Sequence, residues 1–343
     1  MMNPEQTLMF AEAGESAAVV TRQRVANAQA LAAIADRLRG HPPRAVLTCA
    51  RGSSDHAATY AKYLIETRLG LLVSSASPSV SSVYGAAQRL DDMLAVAISQ
   101  SGKSPDLLAT VEAAKQAGAA ALALVNVADS PLAALADDVL PLHAGPERSV
   151  AATKSYIATL AAIADLVRAW TGDAGLAAAL DTLPDLLRRA WACDWSPLVD
   201  ALADARGLFV VGRGIGLAVA QEAALKFKET CGIQAEAFSA AELKHGPMAL
   251  VGPGFPLIVF RQSDETGPGV DALAAEMAAR GGPVFIAGGE AAGATPLPSI
   301  EGDAAIESLL HIQSFYRAAN ALSVRRGFDP DKPPHLAKVT ETL

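Results

Sequence analysis

The sequence predicts two tandem, doubly wound parallel α/β domains, with a helical segment ahead of the first and an extended tail behind the second. Three observations predict it. At 343 residues the chain exceeds what one hydrophobic core usually serves, and its 51% hydrophobic residues are enough for two. The chain also repeats itself. Displaced by 162 residues, Val46-Leu47-Thr48-Cys49-Ala50-Arg51-Gly52 falls on Leu208-Phe209-Val210-Val211-Gly212-Arg213-Gly214, Ala95 to Ser101 on Leu257 to Ser263, and Ala121 to Val125 on Pro283 to Ala287, all without a gap. Third, the apolar runs are continuous over four or five residues, as in strands buried on both faces, and the alanine- and leucine-rich stretches between them suit covering helices.

Each element follows from local chemistry. Glu5 to Leu38 reads as helix and stops at Gly40-His41-Pro42-Pro43, which sets an N-terminal helical segment over 1–40. The first domain, 41–170, opens on the strand that ends in Arg51-Gly52 and carries helices over Asp55 to Thr67 and Pro105 to Ala117. Short helices broken by Gly172, Gly175, Pro184 and Pro197 make a helical connector over 171–197. The second domain, 198–328, carries a helix over Leu217 to Thr230. After Gly327, the prolines of Phe328-Asp329-Pro330-Asp331-Lys332-Pro333-Pro334 remove backbone donors and restrain their predecessors, so 329–343 is expected as an extended tail.

Composition excludes several classes of function. With 28 Lys+Arg against 36 Asp+Glu, a net charge of −8 offers no basic field to a nucleic acid backbone. No run approaches the roughly 18 apolar residues of a membrane span, and the first thirty residues lack an apolar signal core, so a cytoplasmic protein without a membrane partner is expected. Cys49, Cys193 and Cys231 are odd in number and far apart, which fits reduced thiols. The six histidines are equally scattered, and none pairs at metal-ligand spacing. Neither a metal nor a cofactor is expected.

The first half holds a candidate anion loop. Ser99-Gln100-Ser101-Gly102-Lys103-Ser104 follows a strand and precedes a helix with Pro105 at its first position, where ligands of open parallel sheets bind. Hydroxyls, backbone N–H groups and a positive dipole end suit a phosphate monoester, and Ser54 after the first strand could add to them. Ordinary capping also explains serines at such a turn. The matching loop of the second half, Arg261-Gln262-Ser263-Asp264-Glu265-Thr266, carries two carboxylates that would repel a phosphate, so one site per chain is expected. A dinucleotide fingerprint is rejected, because Leu217 stands where the third glycine of Gly212-Arg213-Gly214-Ile215-Gly216-Leu217 should fall.

The second half holds candidate catalytic groups. On a helix through Gln221 to Thr230, Lys226 shares a face with Glu222 and Glu229, a spacing that surface ion-pair ladders also use. His245 follows in Ala241-Glu242-Leu243-Lys244-His245-Gly246-Pro247, where glycine and proline end the segment and place the imidazole at a loop. A carboxylate such as Glu229, in a closed pocket, can move a proton between adjacent carbons. Lys338, near the C-terminus, could condense with a carbonyl if Lys226 lay beside it as a second cation to favour its neutral form. A frayed terminus would also carry such a lysine, but three prolines ahead of it suggest a stiff arm.

These residues resemble the sugar isomerase (SIS) family, and specifically the isomerase half of glutamine–fructose-6-phosphate amidotransferase and the stand-alone amino-sugar phosphate deaminases. The resemblance runs through Ile98-Ser99-Gln100-Ser101-Gly102, Val150-Ala151-Ala152-Thr153-Lys154, the block from Gly212 to Val251, and Leu336-Ala337-Lys338. It implies flavodoxin-like domains, phosphate binding by Ser54, Ser99, Gln100, Ser101 and Ser104, and sugar contacts at Val150, Ala152 and Ala337. It further implies Glu229 as the C1/C2 proton-transfer base, His245 as the ring-opening group, Lys338 as the Schiff-base lysine and Lys226 as an accessory proton carrier. A homodimer with His245 contributed across the interface is implied too. Arg51, Asp55, Lys103 and Ala152 depart from the amidotransferase pattern around the substrate, and the tail lacks the arginine-asparagine usual before its leucine.

The chain begins Met1-Met2-Asn3, without the cysteine after the initiator methionine that a glutaminase domain uses. Release of ammonia is therefore the expected direction, with glucosamine 6-phosphate giving fructose 6-phosphate. Galactosamine- or fructosamine-type deaminases, ammonia-dependent synthesis and a non-catalytic sugar-phosphate sensor are the alternatives. A sensor would need the serine loop but not Glu229, Lys226 and Lys338 together.

Overall fold

The structure, a computed structural model, describes residues 2–338. Two helices lead the chain, α1 (Leu8–Gly14) and α2 (Ser16–Gly40). Thr7 starts α1 by accepting the Phe10 N–H. There follow β1 (Ala45–Cys49), α3 (Ser53–Leu69), β2 (Val73–Ser75), α4 (Ser79–Ser82), β3 (Met93–Ser99), α5 (Pro105–Gln116), β4 (Ala120–Val125), α6 (Pro131–Leu135) and β5 (Asp138–Pro141). Helices α7 (Lys154–Thr171), α8 (Ala174–Trp191) and α9 (Ser196–Ala201) lead on to β6 (Gly207–Gly212), α10 (Gly216–Cys231), β7 (Gln234–Ser239), β8 (Leu257–Phe260), α11 (Gly267–Ala279), β9 (Val284–Ala287), β10 (Thr295–Leu297) and α12 (Ala304–Arg325).

The strands form two five-stranded sheets, ordered β2-β1-β3-β4-β5 and β10-β9-β8-β6-β7, and every pairing is parallel. Read from the other edge, the second order repeats the first. Both are the flavodoxin-like arrangement, with its crevice beyond the carboxyl ends of the central strands. The 162-residue repeat in the sequence is thus a repeat of topology. It holds through four strands and two helices of each half and lapses at the last strand, because β10 arrives early after a short turn. Central strands such as β3 and β4 are buried along nearly their whole length, as continuous apolar runs require.

The chain divides into two compact units assembled from non-contiguous pieces. One comprises residues 2–17, Glu147–Lys154 and Thr182–Lys338; the other comprises Ala18–Pro146 and Ser155–Asp181. The loop 147–154 thus groups with the second sheet, although it follows the first in sequence. In the unit of the second sheet, Phe209, Val211, Leu257, Val259 and Ile286 pack with Val270, Leu273 and Met277 of α11. In the other, Cys49, Ala97, Ala121, Ala123 and Val125 pack with Leu107 and Val111 of α5.

One expectation is corrected. The sequence reads breaks at Gly175 and Pro184, yet α8 runs unbroken through both. Proline at 184 cannot donate to the carbonyl of Leu180 four residues earlier. Arg24 Nη1 donates to that carbonyl at 2.8 Å and supplies the missing partner. Of the described residues, no helix is long and apolar enough to cross a membrane, and no group of three or more His, Cys, Asp or Glu is placed to hold a metal.

Candidate active site

The serine loop joins β3 to α5 and lies wholly in the unit of the first sheet. Ser99 Oγ accepts the Gly102 N–H at 2.9 Å and folds the loop back on itself. Gly102 sits in the left-handed region at φ 65°, where a Cβ would lie 2.2 Å from Ser130 Oγ, so glycine is required on two counts. Ser101 Oγ accepts the Lys103 N–H at a long 3.4 Å. Ser104 is the N-cap of α5 but makes no capping bond, whereas Ser130, the N-cap of α6, accepts the Ala133 N–H. Capping therefore does not account for Ser104. The side chains of Ser54, Gln100 and Ser104 enter no hydrogen bond among the described residues, and all three are half-buried.

The second half has a corresponding loop between β8 and α11, and it is filled. Glu307 of α12, a buried residue, accepts from Ser263 N–H at 2.7 Å and from Ser263 Oγ at 2.8 Å. A protein carboxylate thus occupies the donors that a phosphate would use. The loop's own Asp264 turns inward instead, accepting from the Thr266 N–H and hydroxyl.

The remaining candidates belong to the unit of the second sheet. Lys226, on α10, is 1% exposed and lies between two carboxylates, Glu229 Oε2 at 2.5 Å and Glu222 Oε1 at 3.2 Å. Glu222 is fully buried and also accepts from the Tyr316 hydroxyl at 3.1 Å. Burial works against the ammonium, but the charges and hydrogen bonds of Glu222 and Glu229 outweigh it, and the Lys226 pKa is raised. The solvated ion-pair ladder is thereby excluded. Glu229 keeps 22% of its side chain exposed and is tied through one oxygen only, leaving Oε1 clear.

His245 ends a short 3-10 helix, Glu242–His245, beside Gly246 at φ 139°, and is exposed. Lys338 lies in the tail, where its Nζ donates to Glu147 Oε2 at 3.0 Å. Glu147 has no exposed side-chain surface, and its other oxygen accepts the Thr153 N–H at 3.0 Å. The tail is further pinned where the Val150 N–H donates to the Asp331 carbonyl at 3.2 Å, and where the Asp331 carboxylate accepts the Leu8 and Met9 N–H groups that open α1. Val150 and Ala152 are half-buried in the same loop as Glu147, and Ala337 is exposed next to Lys338. The cation expected beside Lys338 is not what its amine touches: Lys338 pairs with Glu147, and Lys226 with Glu222 and Glu229.

Sequence reasoning missed Glu147, Glu307 and the role of Glu222 as a second clamp on Lys226. Only the i,i+4 spacing of Glu222 was a usable signal.

The comparisons decide the family. The SIS domain family matches residues 41–169 and 201–288. The chain belongs to the SIS domain family. It is 37% identical over 314 residues to a protein from Aeropyrum pernix named glutamine–fructose-6-phosphate aminotransferase [isomerizing], covering 85% of this chain and 50% of that protein. The chain spans about half the length of the curated relatives it matches. A protein from Silicibacter pomeroyi DSS-3, provisionally described as a phosphosugar isomerase, superposes with a TM-score of 0.91 and 44% identity over 95% of this chain and all of that one. The C-terminal domain of glucosamine-fructose-6-phosphate aminotransferase from Francisella tularensis gives a TM-score of 0.86 at 25% identity, covering 96% and 98% of the two chains.

Proposed function

We propose that this SIS protein is an aminosugar-phosphate deaminase and isomerase that converts glucosamine 6-phosphate into fructose 6-phosphate and ammonia. The observation that carries this reading is Glu229, a carboxylate anchored through one oxygen to a buried ammonium, with its second oxygen clear and partly accessible. A fixed carboxylate of this kind is a C1/C2 base, whose positioning contributes on the order of 10²–10⁴ in rate. The serine loop, with its uncommitted side chains, holds the phosphate ester. His245 moves the ring proton between O5 and O1 and opens the sugar to its aldehyde. Glu229 then takes the proton from C2 and, after exchange with solvent, delivers a proton to C1, while the amine gives up one proton and O1 gains one, which leaves an alcohol at C1 and an imine at C2.

Lys338, once its proton passes to Glu147, adds to C2 and expels ammonia. Water then cleaves the lysine imine to give the ketone and the free amine. Lys226 holds Glu229 in place and can pass protons to it. Because water is in large excess over free ammonia, mass action runs the exchange toward release.

The names of the relatives favour a second reading, in which the same groups run in reverse and make aminosugar phosphate from fructose 6-phosphate and ammonia. One assay separates the readings. Ammonia and fructose 6-phosphate are expected from glucosamine 6-phosphate in preference to its C4 epimer and to fructosamine 6-phosphate. Net consumption of supplied ammonia would favour synthesis, and ligand binding with no ammonia from any hexosamine phosphate would favour a sensor.

A further inference from the structure

We propose that Arg51 is a direct ligand of the substrate phosphate, held in position by Asp106. The inference rests on the reading of the β3–α5 loop as the phosphate cradle. Arg51 follows β1, and its Nε and Nη2 both donate to one oxygen, Asp106 Oδ2, at 3.0 and 2.7 Å. Asp106 is the second residue of α5 and is 1% exposed, and its other oxygen accepts the Leu107 N–H at 2.8 Å. A buried carboxylate therefore locks one edge of the guanidinium over the helix turn that Ser101 to Ser104 introduces. The other edge is uncommitted: Nη1 makes no hydrogen bond among the described residues, and the side chain remains 54% exposed.

The charge balance points the same way. The negative charge of Asp106 at that turn works against a phosphate, and the Arg51 guanidinium offsets it while presenting a planar donor suited to phosphate oxygens. Lys103, exposed in the loop, adds a second cation on a flexible stem. The other half of the molecule provides the contrast. Arg213 is the counterpart of Arg51 in the repeat, Pro268 stands at the counterpart of Asp106, and Arg213 forms no ion pair among the described residues. At this position of the repeat, the arginine is anchored in the half whose loop is not filled by Glu307.

The test is calorimetric titration of the full chain with glucitol 6-phosphate, which lacks a carbonyl and cannot turn over, and with inorganic phosphate. Wild-type protein that binds neither would overturn the cradle reading itself, whatever Arg51 does. Given wild-type binding, Arg51→Ala and Arg51→Gln are expected to weaken it ~10- to 100-fold, the usual range for a hydrogen bond to a charged group. Arg51→Lys should fall between, because it keeps the charge but loses the fork. The double variant Arg51→Ala/Asp106→Asn removes the buried negative charge together with its arginine, and it should bind as weakly as Arg51→Ala. Recovery to within about twofold of wild type in the double variant would mean that Arg51 merely neutralises Asp106. That result, or unchanged binding in both single variants, overturns the proposal.

Discussion

Burying a lysine is costly unless its charge is met, and Lys226 is met twice, by Glu222 beneath it and Glu229 beside it. The ammonium consequently acts as a fixed mount for Glu229. Replacing Glu229 with glutamine keeps the shape and the tie to Lys226 but removes the base. Glu229→Gln is expected to lower turnover at least ~100-fold and to abolish solvent deuterium incorporation at C1 of the product, with sugar-phosphate binding retained. Mass spectrometry of product formed in D2O checks it, and undiminished labelling would assign the base elsewhere. The spacing of Lys226 and Glu229 was legible because helix geometry is local. The burial of Lys226 was not, since the same spacing serves exposed ladders, and Glu147 was invisible because a lone acid between Pro146 and Arg148 reads as surface.

At the level of elements, a packed partner overrides local sequence chemistry. Helix α8 survives Pro184 because Arg24 supplies a donor, and the β8–α11 loop loses its capacity for an anion because α12 delivers Glu307 into it. The sequence excluded a phosphate there on account of Asp264 and Glu265; the structure reaches the same exclusion through a residue 44 positions away. Helix α12 also buries His311, whose Nδ1 has no hydrogen-bond partner among the described residues. Burial pushes its pKa down to about 4 from 6.5. The native state therefore keeps the ring neutral where the unfolded chain takes up a proton. Stability from this group is fully present above pH 6.5 and is lost as the pH falls toward 4, by about 3 kcal/mol in all. Urea denaturation between pH 7 and 4 should show that decline, and His311→Leu should flatten it over the same window. Equal slopes in the two proteins would mean that the imidazole is protonated in the fold.

On the scale of the molecule, the two units are built from interleaved segments, and the loop 147–154 that binds the tail belongs to the unit of the second sheet. The exposed position of His245 fits the proposal that it serves a second copy of the chain. If so, inactive Glu229→Gln and His245→Ala proteins, mixed and allowed to exchange subunits, should regain up to about a quarter of wild-type activity. Mixed dimers that stay inactive would place the imidazole in its own subunit's site. The sequence by itself determined the duplication, the parallel α/β class, the turns that end the strands, and the residues of the serine loop and the α10 face. Each of these depends on periodicity and on chemistry within a few residues. Only the tertiary structure decided which charges meet: Arg51 with Asp106 across 55 residues, and Lys338 with Glu147 across 191. Such pairs are set by where parallel strands deliver their carboxyl ends and by which carboxylates lose their water, and neither property is encoded near the residues concerned.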